Sequence, residues 1–148
     1  MPLLYLLGTG ASLSGAGRTT TMLAFENRGS IVLVDCGGDA VERLLSAGLD
    51  PHRIDLLILT HEHPDHVGGF PLLVQKLWLG KRSRPLPIRG PGRALDHARR
   101  LFATYDTSGW KGLPPLEWGE VEAGEDGPVW SGAGSPIKTA PGQHGRTP

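Results

Sequence analysis

Residues 57–69 read LILTHEHPDHVGG: an apolar run gives way to three histidines, a glutamate and an aspartate within six positions, then to two glycines. His61, His63, Asp65 and His66 offer neutral imidazoles and a carboxylate, a donor set suited to zinc first, with iron and manganese behind it. In an extended loop, residues two apart point to the same side. His61 and His63 can therefore grip one ion while Asp65 and His66 turn toward a second position, a spacing that points to two metals. The helical H-E-x-x-H pattern of metalloproteases does not apply. Its second histidine would fall at Asp65, and Pro64 disfavours helical backbone at His63. Glu62 is accordingly expected to point away from the metals.

The elements around this cluster read as follows. Residues 3–7 form a strand that ends in the turn-rich GTGASLSGAG. Residues 20–26 and 30–34 form two more strands, joined at Asn27-Arg28-Gly29 by a hairpin turn. Residues 39–47 form a short amphipathic helix closed by Gly48, and residues 55–59 a buried strand, so the histidines lie just past a strand's carboxyl end. Helices over 70–79 and 93–105 flank a strand over 86–89, and short strands follow. This alternation predicts an α/β domain, with its ligand site beyond the strand ends, where the cluster falls. Neither a repeat nor a long linker divides the chain, so a single domain is expected over residues 1–148.

Composition narrows the function classes. A chain of 148 residues with 39% hydrophobic content can bury about two-thirds of its unfolded surface, and its 22 glycines and 13 prolines punctuate apolar runs without forming a low-complexity tract. The one cysteine, Cys36, excludes an intrachain disulfide and suits a reducing, cytoplasmic setting, where it reads as a small packing residue. The opening apolar stretch stops at Gly8, too short for a signal segment or a membrane span. Formal charge is zero but unevenly placed: seven basic residues and Asp96 fall in 80–100, and five acidic ones in 117–126. The basic stretch reads either as a track for an RNA backbone or as a solvated helix face. His52 and His97 read as surface or half-buried imidazoles. Trp78, Trp110, Trp118 and Trp130 read as packing residues before base-stacking ones.

The run His61-Glu62-His63-Pro64-Asp65-His66, followed by Gly68-Gly69, matches in full the H-x-H-x-D-H signature of the metallo-β-lactamase superfamily, which this sequence resembles. IVLVDCG at 31–37 looks like that family's strand ending in an aspartate, and His144 in KTAPGQHGRTP looks like its next histidine ligand. The resemblance implies an αββα sandwich, of which this chain supplies mainly the N-terminal half, with a bare sheet face opposite its helices. It implies a first metal held by His61, His63 and His144, and a second held in part by Asp65 and His66. Asp35 would orient a ligating imidazole; its alternative is a turn or helix-capping aspartate. The family continues after the third histidine motif with a second sheet, a bridging aspartate and a last histidine, so truncation is expected. A bare apolar face then predicts aggregation, a homo-oligomer or a longer molecule.

A dinuclear zinc centre implies hydrolysis by metal-activated hydroxide, because two cations about 3.5–4 Å apart lower the pKa of a shared water toward about 7. Asp65 would orient that hydroxide or take its proton. LLGTGASLSGAGRTTTMLAF looks like the opening of the ribonuclease Z branch, which cleaves phosphodiesters at the 3′ end of precursor tRNA. Arg18 would there contact phosphate, its alternative being a solvated arginine. GLDPHRIDLLILTHEHPDHVGG is equally at home in glyoxalase II-like thioesterases, so a thioesterase or lactonase acting on a small ester is the second enzymatic expectation. The non-enzymatic expectation is an inactive half-domain or a subunit that docks a partner.

Overall fold

The computed structural model describes residues 1–13, 15–122, 128–130 and 136–138. Six strands form one sheet in chain order: β1 (Leu3–Gly8), β2 (Met22–Asn27), β3 (Ser30–Val34), β4 (Ile54–Ile58), β5 (Leu86–Gly90) and β6 (Leu116–Glu120). β1, β2 and β3 pair antiparallel, whereas β3 to β6 run parallel, so the carboxyl ends of four strands open on one edge. The β2–β3 hairpin turns on Arg28 and Gly29, both at positive φ (52° and 81°), as the expected turn requires. A small sheet pairs β7 (Pro128–Trp130) with β8 (Ile137–Lys138).

Four helices connect these strands: α1 (Ala40–Ser46), α2 (Pro64–Val67), α3 (Phe70–Leu79) and α4 (Gly92–Phe102). Asp39 caps α1, its carboxylate accepting from the Glu42 N–H at 3.0 Å, and Lys76 of α3 pairs with the same carboxylate. α1 packs on α3 and α3 on α4, a single helical layer against one face of the sheet. Leu7, Met22, Ala24, Ile31, Leu33, Leu57, Leu59 and Ile88 meet Leu44, Phe70, Leu73, Leu77 and Leu95 there in one buried core. Each fully buried Leu or Phe contributes about 1.5–3 kcal/mol. Strand alternation sends Leu4, Leu6 and Phe25 to the opposite face, where they are exposed.

Three expectations need correction. β2 starts at Met22, because Thr20 bridges Gly10 and the Thr21 hydroxyl donates to the Gly10 carbonyl, committing both residues to the glycine loop. α4 stops at Phe102 where helix to residue 105 was expected: the Thr104 hydroxyl takes the Leu101 carbonyl and Asp106 accepts from the Ser108 N–H, favouring a turn. Within the basic stretch Arg82 is neither RNA-facing nor solvated, because it is buried. Its guanidinium donates to the carbonyls of His52, Ile54, Arg84 and Pro85, joining the start of β4 to the start of β5. Burial and the neighbouring Arg84 charge lower its pKa to about 10.

The tryptophans pack as expected where their side chains are described. Trp78 and Trp110 stack with ring centroids 4.6 Å apart, and Trp118 lies against Phe70 and beneath Arg99. The side chain of Trp130 is outside the described residues. No described helix is long and apolar enough to cross a membrane.

Candidate metal centre

The site is built where β3 and β4 end. The Asp35 N–H donates to the Ile58 carbonyl at 2.8 Å, holding the two strand ends side by side. Asp35 has φ +61°, a left-handed conformation uncommon outside glycine and costing on the order of 1 kcal/mol. Its carboxylate is held on three sides. Oδ1 accepts from the Thr60 N–H at 2.8 Å, while Oδ2 accepts from the Thr60 hydroxyl and from His66 Nδ1, each at 2.7 Å. Asp35 is thus not a helix cap, a role that Asp39 fills.

The His66–Asp35 bond fixes chemistry as well as position. An ionised carboxylate only accepts, so Nδ1 carries the proton and Nε2 keeps its lone pair for a ligand, an assignment made from the hydrogen-bond network. His66 Nε2 faces Asp65 Oδ2 at 3.5 Å. The His61 ring lies 4.7 Å from that of His63 and 3.8 Å from that of His66, measured between centroids. Among the described residues no three donors form a closed metal-binding set. His144, the further ligand expected from sequence, lies outside the described residues.

The backbone reason for this crowding is legible in the glycines. The Cys36 N–H donates to the His66 carbonyl and the Gly69 N–H to the Cys36 carbonyl, both at 2.8 Å. A Cβ on Gly37 would stand 1.7 Å from the Asp65 carbonyl oxygen, and one on Gly69 would stand 2.2 Å from that of Gly38. Only glycine lets the DCGG and DHVGG turns interlock, bringing Asp35 against His66. Cys36 is buried in the core, and burial together with the Asp35 charge raises its thiol pKa, so it acts as packing.

The expected extended loop ends at His63, whose φ −66° and ψ 148° are extended, and Asp65 and His66 lie on α2. Pro64 accounts for both halves of this arrangement: it keeps His63 extended and supplies a preformed φ at the first helical position. Glu62 turns away as expected and pairs with Arg93 at 3.1 Å. Its own backbone N–H, Arg93 and the neighbouring His63 and His61 hold its carboxyl below the usual range, against a smaller opposing effect of burial.

Burial works to raise the Asp65 pKa, but hydrogen bonds from the Ser12 hydroxyl and its own N–H, with His66 and His61 nearby, leave it lowered. Ser12 and Thr60 are the contributors that sequence reading missed. Ser12 is one small residue in a glycine loop, and Thr60 reads as a residue just past the end of an apolar strand. Arg18 lies exposed in that same glycine loop. His97 is exposed and His52 half-buried, both apart from this cluster in role: His52 lends its carbonyl to Arg82.

Three imidazoles and two carboxylates thus gather at the mouth of parallel strands, one imidazole oriented by a buried aspartate, on a mixed sheet covered by helices on one face. The superfamily model described as metallo-beta-lactamase matches residues 15–146, and the chain belongs to that superfamily. It is similar to the Ribonuclease Z of Bradyrhizobium diazoefficiens, 35% identical over 95% of this chain and 46% of that protein. It is also similar to that of Mycolicibacterium paratuberculosis, 33% identical over 94% of this chain and 53% of that one. Among solved structures, human tRNase Z, short form, superposes with a TM-score of 0.67 at 29% identity, covering 81% of this chain and 44% of that one. The chain thus spans about half the length of the curated relatives it matches.

Proposed function

We propose that this chain carries the principal metal-binding loop of a metal-dependent phosphodiesterase, an endoribonuclease of the tRNA 3′-processing type. The observation that carries the reading is the Asp35–His66 bond beside His61 and His63, since carboxylate-oriented imidazoles are the usual outer support of a metal ligand. The similarity to proteins named Ribonuclease Z supports RNA as the substrate class. The donor set fits zinc, with iron or manganese as the alternatives.

In this reading His61 and His63, with His144, hold one ion, and Asp65 and His66 contribute to a second. Bound there, the metal pair would supply Lewis acidity that activates water and offsets charge developing on the phosphate. Asp65, whose Oδ2 lies 3.5 Å from His66 Nε2, would orient the activated water or take its proton. Asp35 holds the His66 proton on Nδ1 throughout, and exposed Arg18 offers a phosphate contact. Residues 1–148 would act within a single domain, in a reducing compartment suited to the free Cys36.

Elemental analysis of protein whose intact mass matches these 148 residues tests the reading. Two tightly held ions per chain, or one with loss of the His63→Ala signal, would support it. Cleavage of precursor tRNA by the metal-loaded protein would then support the substrate class. Thioester hydrolysis without RNA cleavage would replace the substrate, and no metal at all would overturn the centre.

A further inference from the structure

Thr60 touches both sides of the centre. Its hydroxyl oxygen lies 2.7 Å from Asp35 Oδ2 and 3.0 Å from His61 Nδ1, while its backbone N–H donates to Asp35 Oδ1 at 2.8 Å. A hydroxyl has one proton to give and two lone pairs with which to accept. The carboxylate can only accept, and a hydrogen bond to a charged acceptor is the stronger one, so the Thr60 proton goes to Asp35. The remaining contact closes only if His61 donates from Nδ1 to the Thr60 oxygen. His61 then keeps its lone pair on Nε2.

From this geometry we infer that Thr60 is a positioning residue, relaying the Asp35 carboxylate to His61 and fixing the tautomer that presents Nε2. One buried carboxylate thereby orients two imidazoles: His66 directly, and His61 through the Thr60 hydroxyl. The β-branched side chain suits the role, because few rotamers are open to it and the hydroxyl is held in place. The relay rests on the metal-centre reading for its purpose but not for its geometry.

The test uses the metal-free 148-residue chain labelled with ¹⁵N, and long-range ¹H–¹⁵N spectra that report which ring nitrogen carries the proton. The His61 signal is assigned by its loss in His61→Gln. Wild type is expected to show His61 protonated at Nδ1. Thr60→Val keeps the shape and the backbone bond but removes the hydroxyl, and is expected to shift His61 toward the Nε2-protonated form, with Thr60→Ser restoring the original. Competition with a chelator is expected to show about 10-fold weaker metal binding in Thr60→Val and near-native binding in Thr60→Ser.

A wild-type His61 protonated at Nε2 would overturn the relay, whether or not Thr60→Val folds. So would a folded Thr60→Val whose tautomer and metal affinity match wild type. Because the spectra need neither metal nor RNA, a tautomer that follows Thr60 in a chain that binds no metal would leave the relay standing and sink the metal reading instead.

Discussion

The two ends of the parallel strands use polar residues in opposite ways. At the amino ends, Arg82 gives its guanidinium to four backbone carbonyls, and Arg84 joins the same region through Asp55 and the His52 and Ile54 carbonyls. Those donors are spent on holding strands together. At the carboxyl ends, Asp35 is likewise saturated, but its partners are a threonine and a histidine whose outer ring nitrogen still faces the cluster. The first end closes on itself, whereas the second passes orientation outward. Buried polarity therefore marks function only where it leaves a donor or acceptor directed at something else.

The largest effect is expected from Arg82→Leu, which leaves buried carbonyls without their charged donor. Urea unfolding should show a loss of about 3 kcal/mol or more. Metal affinity of the folded fraction should be unchanged. If stability held and only the salt dependence of RNA binding fell, the two ends would not differ as described.

Asp35→Asn is the counterpart at the other end. Asparagine tolerates positive φ, so the urea midpoint should move little, but the amide no longer supplies a full carboxylate to His66 and Thr60. Chelator competition should report roughly 10- to 100-fold weaker metal binding. Equal losses of stability in both variants would erase the contrast between the ends.

A smaller effect is expected from Asp39→Ala, about 1 kcal/mol through the lost α1 cap. Burial acts to raise the Asp39 pKa, but Lys76 and the α1 backbone N–H groups leave it lowered. A carboxyl depressed in the folded state contributes stability above its unfolded value and loses it as pH falls through the folded one. The gap between wild type and Asp39→Ala should therefore be full above about pH 4 and shrink below it. Smallest of all is Arg93→Ala. Arg93 is 86% exposed in its pair with Glu62, so melting should register less than about 0.5 kcal/mol.

Much of this contrast was hidden in the sequence because a run of arginines reads alike wherever it folds. Arg82, Arg84 and Arg89 lie within eight positions, yet Arg82 is buried, Arg84 is exposed and ion-paired, and half-buried Arg89 donates to the Ile88 and Glu117 carbonyls. Burial is a property of which strand ends meet, and local charge carries no record of that. The histidine cluster was legible for the opposite reason, since its donors are adjacent in the chain and Pro64 restricts the backbone locally. The helix over 70–79 was legible too, bounded by Gly69 and Gly80 around an apolar run.

The sequence by itself determined the donor set of His61, His63, Asp65 and His66 and the mixed α/β character. These follow from chemistry within a few residues. Only the tertiary structure decided that Asp35 reaches His66 from 31 positions away, that Thr60 stands between Asp35 and His61, and that Ser12 meets Asp65. Those contacts exist because β3 and β4 pair in parallel and end side by side, and pairing between segments distant in sequence is set by the packing of the whole sheet.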